Sequence, residues 1–171
     1  MGMSSRSPFG RMSGMHGLAD VSLKQLIAWG DHLKVDQPQI DAQHEAIFNI
    51  AVEISDTWHK HGDVDQLIAL ADKLHKVLDA HFRYEEGQLA EVGYPKLAQH
   101  KAEHKGMLDE LQSIRDRLAG MGHGTVQMEP GSLLLNYILG VTVGHICHSD
   151  MEYCVFARRA AEDKGQVWPA R

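Results

Sequence analysis

Apolar residues recur every three or four positions in four separate stretches of this chain. This spacing puts them on one face of a helix and therefore predicts four amphipathic helices. The first helix is expected to run from about Pro38 to His61. Asp63 has the character of a capping residue for the second helix. That helix should stop at Gly93, because glycine readily adopts the left-handed conformation that ends helices.

Proline, glycine and serine mark the remaining boundaries. Pro95 suits the first turn of the third helix. Residues 120–131 are rich in glycine and are expected to form a loop, after which Ser132 would cap a fourth helix that continues to about Glu162. The predicted fold is therefore all-α, an up-down-up-down four-helix bundle preceded by an N-terminal arm.

The length and charge of the chain limit its organisation and its partners. The 171 residues suit a disordered tail over residues 1–22, one bundle domain over 23–162 that includes the arm, and a C-terminal tail over 163–171. A net charge of −6 without a long basic run argues against nucleic acid or an anionic membrane as partner. No apolar run reaches the ~20 residues of a membrane span, and the N-terminus lacks the apolar core of a signal peptide. A cytoplasmic location is expected.

The two cysteines fit a reducing compartment. Cys147 and Cys154 are separated by about 10 Å along one predicted helix, which is too far for a disulfide between them. We interpret both as packing residues rather than redox sensors.

Polar residues interrupt the four apolar stripes at one level of the bundle. They are five histidines and two carboxylates: His44, His81, Glu85, His100, His104, His145 and Asp150. Buried imidazole and carboxylate groups are unfavourable unless something pairs with them, and a metal would do so. A donor set rich in imidazole that needs no thiolate favours iron over structural zinc. Seven donors exceed the needs of one ion and suit two ions that share bridging carboxylates.

The fourth helix departs from regular spacing at this level. His145 and Asp150 are five residues apart, so a regular α-helix would turn them about 140° away from each other. A π-bulge between them would restore a common face, and Gly140 and Gly144 would ease it. The alternative is a regular helix in which His148, three residues after His145, is the ligand. His148 is also a candidate hydrogen-bond donor behind the ligands, or a proton relay.

Together these motifs resemble the hemerythrin family, and specifically its single-domain bacterial members. The resemblance covers about residues 25–160, and Trp29 is similar to the arm tryptophan of the family. The matching segments are Ile40-Asp41-Ala42-Gln43-His44, His81-Phe82-Arg83-Tyr84-Glu85-Glu86, Gly93-Tyr94-Pro95, His100 with His104, and His145-Ile146-Cys147-His148-Ser149-Asp150 followed by Tyr153.

The resemblance implies a cofactor of two iron ions (Fe²⁺ or Fe³⁺) joined by an oxo or hydroxo bridge. His100, His104 and His145 would complete the coordination of one iron. His44 and His81 would hold the second iron, which would keep an open position for O₂.

Glu85 and Asp150 would bridge both ions. The implied function is reversible O₂ binding for storage, delivery or sensing, with another small diatomic molecule or a peroxide as a possible ligand. The alternative is a di-iron redox enzyme that acts on peroxide, nitric oxide, O₂ or Fe²⁺. A monomer or a weak homo-oligomer is expected.

By resemblance, the wall of the ligand pocket should be apolar. Its residues would be Ile47, Phe82, Val141, Thr142 and Ile146. The family usually has Trp-Leu where this chain has Val141-Thr142. The smaller valine would open space, and the threonine hydroxyl is expected to donate a hydrogen bond to a ligand or hold a water. Faster autoxidation than in a typical member is therefore expected.

Overall fold

The computed structural model describes residue 25 and residues 28–60, 63–121 and 128–165. Within these ranges the protein is all-α, as predicted. The first three long helices are α1 (Pro38–His59), α2 (Val64–Glu91) and α3 (Leu97–Ala119). The fourth helical segment consists of α4 (Met128–Leu139), a π-helix π1 (Gly140–Asp150) and α5 (Met151–Glu162). Each long helix packs against the next, and the fourth segment also packs against α1, which closes the bundle.

Polar contacts fix where α1 begins. The side-chain Oε1 of Gln37 accepts a hydrogen bond from the amide of Ile40 at 2.7 Å, and Pro38 occupies the first turn. The side-chain Nε2 of Gln37 donates a hydrogen bond to the Tyr84 hydroxyl on α2 at 2.8 Å. The Asp41 carboxylate accepts a hydrogen bond from the backbone N–H of Val35 in the arm at 2.8 Å. One short segment therefore joins the arm, α1 and α2.

Both predicted ends of α2 are confirmed. The Asp63 carboxylate accepts the amide of Gln66 at 2.7 Å and caps the helix. At the other end Gly93 has a φ of 69°, a left-handed conformation that glycine adopts without strain. The chain then reverses, and the amide of Tyr94 donates to the carbonyl of Leu89 at 2.9 Å.

Other predicted boundaries were wrong by a few residues. The fourth segment begins at Met128 and not at Ser132, because Pro130 is tolerated in a first turn, where its missing amide hydrogen is not needed. The third helix begins at Leu97, two residues after Pro95, because a turn intervenes. In α1 the last helical residue is His59.

Several predicted features lie outside the described residues. These are the tail over residues 1–22, the predicted end of the first helix at His61, and the middle of the predicted loop at 122–127. The last residues of the chain, 166–171, are outside them as well.

The predicted arm packs across the bundle. Leu33 and Val35 are buried, and Arg158 on α5 donates to the carbonyl of Val35 at 3.4 Å. The Trp29 ring lies against the rings of His44 and Phe48, with centroid distances of 6.0 and 5.6 Å. The arm therefore covers part of the polar level of the bundle.

Two apolar clusters divide the core. The larger contains residues such as Ile47, Phe82 and Met107, and the smaller is built around Ile40 and Tyr153. On α1 and α3 the predicted ligands lie between residues of the two clusters in sequence, so the polar level has apolar packing on both sides. Among the described residues, no helix has the length and apolar character needed to cross a membrane.

Candidate metal centre

All seven predicted ligands meet in the interior of the bundle. We call them the seven-residue cluster: His44 on α1, His81 and Glu85 on α2, His100 and His104 on α3, and His145 and Asp150 on π1. Each is at most 5% exposed. All four helical segments therefore contribute to one buried polar site.

Four of these side chains form a close group around Glu85. Its Oε2 lies 3.1 Å from Nε2 of His100 and 3.1 Å from Nε2 of His104. Nε2 of His104 is 3.0 Å from Nε2 of His145. The His145 nitrogen is in turn 3.2 Å from Oδ1 of Asp150. Three imidazole nitrogens and two carboxylates thus point at a common centre.

Asp150 connects this group to a second one. Its Oδ2 lies 3.3 Å from Nε2 of His44 and 3.5 Å from Nε2 of His81. The donor atoms therefore divide into two sets, each with all members within 4.8 Å of one another, and Asp150 belongs to both. One carboxylate oxygen faces each set, which is the position that a bridging ligand needs.

Buried polar atoms that make no hydrogen bond, although several lie at ion-pair distances from one another, indicate that the cluster fits metal ions. The buried atoms without a hydrogen-bond partner include both ring nitrogens of His44, Nε2 of His81, Oε1 of Glu85 and both carboxylate oxygens of Asp150. Buried polar atoms in proteins are nearly always hydrogen-bonded, so several convergent exceptions require an explanation. Imidazole nitrogens and carboxylate oxygens suit iron, and binding would satisfy these atoms.

The predicted irregularity in the fourth helix is confirmed, and it is longer than a single bulge. The π-helix spans 11 residues, from Gly140 to Asp150. It places His145 and Asp150 on the same buried face and leaves His148 exposed. The alternative of a regular helix with His148 as ligand is therefore wrong. His148 lines a surface cleft beside His100, and its role as a donor or relay stays a prediction.

Two acceptors that sequence reasoning did not single out orient the histidine rings. Nδ1 of His81 lies 3.1 Å from Oε1 of Gln43, and Nδ1 of His104 lies 2.9 Å from Oε1 of Glu86. A ring that donates Nδ1–H to such an acceptor presents Nε2 to a metal. The sequence did contain a signal for both acceptors, because Gln43 directly precedes His44 and Glu86 directly follows Glu85.

Aromatic rings also hold the histidines. The rings of Phe82 and His104 are stacked, with centroids 3.9 Å apart and an interplanar angle of 7°. The rings of Phe82 and His145 form a T-shaped pair, with centroids 5.7 Å apart. Since aromatic contacts restrict ring rotation, the donors are held in place on several sides.

The five predicted pocket residues are all buried, and four of them belong to the larger apolar cluster. The fifth, Thr142, differs from its expected role. Its hydroxyl donates to the backbone carbonyl of Ile138 at 2.8 Å, close to the point where α4 becomes π1. The expected donation to a ligand is therefore not available in this conformation, because the hydroxyl hydrogen already has an acceptor.

Local charges favour ionised carboxylates. Burial alone would raise the pKa of Asp150, but the charge of His145 and the nearby rings of His44 and His81 hold that pKa well below its usual range. Burial and the charge of Asp150 likewise oppose ionisation of Glu85, yet hydrogen bonds from the α3 histidines lower its pKa. Burial lowers the pKa of His145. Burial also opposes protonation of His81 and His100, but their contacts with Asp150 and Glu85 raise the pKa of both rings. The ionised carboxylates and a neutral His145 are in the forms that bind a metal, whereas a metal would displace a proton from His81 and His100 wherever these rings are protonated.

Comparison with known proteins agrees with this geometry. The sequence model of the Hemerythrin HHE cation binding domain matches residues 36–155, a range that contains the whole seven-residue cluster. The chain belongs to the hemerythrin family. The resemblance predicted from the motifs is thereby confirmed.

Similar proteins include two bacteriohemerythrins. That of Clostridium acetobutylicum is 26% identical over 131 residues, which cover 75% of this chain and 98% of the relative. That of Stenotrophomonas maltophilia is 30% identical over 95 residues, or 54% of this chain and 60% of the relative. Hemerythrin subunit alpha of Lingula anatina is 28% identical over 91 residues, or 53% of this chain and 71% of the relative.

Proposed function

We propose that the seven-residue cluster holds two iron ions and that the chain binds O₂ reversibly there. The observation that carries this proposal is the division of the buried donors into two sets that share Asp150. A single structural ion would need one set of about four ligands. Two sets with a shared carboxylate are suited to two neighbouring ions.

The two sets differ in the number of donors they offer. The first contains His100, His104 and His145 besides the carboxylates, whereas the second contains only His44 and His81 with Asp150. An ion in the second set would therefore have fewer protein ligands. That difference supports an open position on this ion, at which an external ligand binds.

The carboxylates support a bridging role. Each oxygen of Asp150 faces a different set, and Oε1 of Glu85 is buried without a partner while its Oε2 contacts the α3 histidines. A carboxylate with one engaged oxygen and one free oxygen can bind a second ion. Glu85 and Asp150 are therefore our candidates for the bridge.

The apolar wall supports binding rather than turnover. When bound, the two irons would supply the electrons for reversible O₂ binding. Ile47, Phe82, Val141 and Ile146 are each at most 2% exposed, so they exclude water from the site and slow loss of the oxidised ligand. None of these side chains carries an acid or a base, so the chain supplies no proton from this wall.

A second candidate, a di-iron redox enzyme, is favoured by one observation. A surface cleft of about 440 Å³ extends inward to His145 and Met107. This space exceeds what a diatomic gas needs, and it would allow a larger substrate to approach the cluster.

The test is an optical spectrum of the reduced, iron-loaded protein as air is admitted and then removed. Reversible binding predicts about two irons per chain. It also predicts a visible band that appears when air is admitted and disappears when air is removed. An irreversible change to an oxidised spectrum would instead support the enzyme. Failure to hold iron would contradict both functions.

Matched variants on α2 locate the iron. His81→Ala should lower the iron content, because His81 is one of only two histidines in the second set. His75→Ala serves as control, since His75 is on the same helix and only partly buried outside the cluster. Equal iron retention in both variants would contradict the proposed ligand set.

A further inference from the structure

His100 is the residue of the seven-residue cluster that lies nearest the surface. It is 5% exposed, whereas the other six residues are at most 3% exposed. A surface cleft of about 190 Å³ reaches His100, and we call it the small cleft. A molecule that touches the surface there can therefore contact the ring of a predicted metal ligand without entering the interior of the bundle.

The small cleft carries charges of both signs. Its lysine and glutamate residues are Lys96, which directly precedes α3, Glu103 on α3 and Glu152 on α5. Nζ of Lys96 lies 3.5 Å from Oε1 of Glu152, and both side chains are more than half exposed. An exposed ion pair of this kind contributes little to stability, so either charge can be removed without disturbing the core.

His100 is in close contact with the rest of the cluster. Its Nε2 lies 3.1 Å from Oε2 of Glu85, the candidate bridging carboxylate on α2. Its ring centroid is 4.2 Å from that of His104 and 5.3 Å from that of His145. An electron that arrives at the exposed edge of His100 is thus one side chain away from the first set of donors.

The position of His100 suits electron transfer better than ligand binding. The first set offers three histidines besides its carboxylates, so under the proposed function its ion has no open position for a molecule in the small cleft. Electron transfer requires no bond to the metal, but its rate falls steeply with distance. His44 and His81 in the second set are fully buried, so they offer an external donor no comparable contact.

The proposed function creates a need for such a donor. Autoxidation would leave both ions ferric, and ferric ions cannot supply the electrons that O₂ binding requires. Two one-electron transfers would restore the ferrous pair, with each ferric ion taking one electron and two donor molecules each losing one. An oxo bridge would take up one proton from water in the same conversion and become a hydroxo bridge.

We propose that an external one-electron donor reduces the cluster at the small cleft, through the exposed edge of His100. This inference rests on the proposed function, because it concerns how the same irons regain their electrons. It assigns to Lys96 and Glu152, which lie outside the proposed ligand set, an influence on the approach of charged donors.

The first experiment changes the charge of the small cleft in both directions. Glu152→Gln removes a negative charge and Lys96→Gln removes a positive charge. Stopped-flow mixing measures the reduction of the diferric protein by hexaammineruthenium(II), a cation, at low ionic strength. We expect reduction to become about fourfold slower in Glu152→Gln and about fourfold faster in Lys96→Gln, from Coulomb interaction in water. Added salt should abolish both differences.

An anionic donor should reverse both effects. Dithionite supplies the sulfur dioxide radical anion, which should react about twofold faster with Glu152→Gln and about twofold slower with Lys96→Gln. Changes in the same direction for the cation and the anion would overturn the proposal, because they would show that the substitutions act on the irons and not on the approach of the donor.

Glu110→Gln is the matched control. It removes the same charge as Glu152→Gln, but Glu110 lines the larger cleft beside His145 and does not line the small cleft. Its rates should therefore change much less than those of Glu152→Gln. An equal or larger change in Glu110→Gln would place electron entry at His145 and overturn the proposal.

Iron content and reduction potential provide readouts that do not depend on reaction rates. Both should equal the wild-type values in all three variants, since none of the substituted residues belongs to the proposed ligand set. Spectroelectrochemistry measures the potential. Shifts in potential that account for the altered rates would overturn a role in donor approach.

The outcomes separate electron entry from the proposed function. Iron-loaded variants that are all reduced at the wild-type rate would overturn entry at the small cleft and leave the di-iron site intact. A wild-type protein that holds no iron would overturn the proposed function itself. Opposite changes in Glu152→Gln and Lys96→Gln that reverse with the sign of the donor support the proposal.

Discussion

The Nδ1 atom of His104 lies 2.9 Å from Oε1 of Glu86, on the side of the ring away from Glu85. Glu86 is partly buried, and its other oxygen is 3.6 Å from Nζ of Lys101. A carboxylate behind an imidazole fixes its tautomer and makes Nε2 a stronger donor. Glu86 thus acts on the cluster through His104.

Glu86→Gln should weaken metal binding, because a neutral amide is a poorer acceptor for the Nδ1–H of His104. Loss of such a partner typically lowers metal affinity by about 10–100-fold. Competition with a coloured iron chelator measures the change. Lys101→Met removes the ion pair and leaves the ring contact intact, so its affinity should stay close to that of the wild type. Equal losses in both variants would attribute the effect to the ion pair.

The π-helix leads to a second prediction. Insertion of an alanine after Ser149 adds one residue between His145 and Asp150. One helical residue turns the chain by about 100°, so the carboxylate would rotate by about that angle relative to His145. We expect the insertion variant to keep its helical circular dichroism and to lose the iron that depends on Asp150.

Ser149→Ala is the control for this insertion, because it changes the side chain and keeps the residue count. It should retain the iron content of the wild type. An insertion variant with full iron content would show that the spacing of His145 and Asp150 in the π-helix does not determine whether Asp150 binds.

The bundle could be predicted from the sequence because the apolar period is regular over most of each helix. The same period revealed the site, since histidine and carboxylate residues occupy positions such as His44 and Glu85 that should be apolar. A local bulge in the fourth helix was also predictable, because His145 and Asp150 share a face only if an extra residue is accommodated, but its extension into an 11-residue π-helix was not predicted. These features follow from spacing along one helix at a time.

Features that depend on packing between helices could not be predicted in this way. The contact between Gln43 and His81 joins α1 to α2. The apolar spacing of one helix alone does not predict which residues of two helices meet. The hydroxyl of Thr142 was assigned to the ligand pocket, but it donates to the backbone carbonyl of Ile138, one helical turn earlier in the chain. The surface cleft beside His145 is lined by residues of α3 and π1, two elements that are separated in sequence by α4.

The two cysteines should differ in reactivity. Burial raises the pKa of both thiols, that of Cys154 to about 12, and Cys147 is the more exposed of the two. Since the thiolate is the reactive form, a raised pKa means slow labelling at about pH 8 and faster labelling as the pH rises. A disulfide reagent should give one slow phase from Cys147 and a much slower one from Cys154.

Cys147→Ser should remove the faster phase and leave the slower one. Labelling of the urea-unfolded protein gives the rate expected without burial. A single fast phase for both thiols in the folded protein would contradict the buried position of Cys154.

The last prediction separates the volume of Thr142 from its hydroxyl. Thr142→Leu should slow autoxidation, because a larger apolar side chain fills space in the wall and excludes water from the site. Thr142→Val keeps the shape but removes the hydroxyl. Since that hydroxyl donates to Ile138, the valine variant should autoxidise at nearly the wild-type rate, and it should lose about 1 kcal/mol of stability. Decay of the oxygenated spectrum and urea unfolding measure the two effects. Slower autoxidation in the valine variant, equal to that in the leucine variant, would show that the hydroxyl reaches the ligand after all.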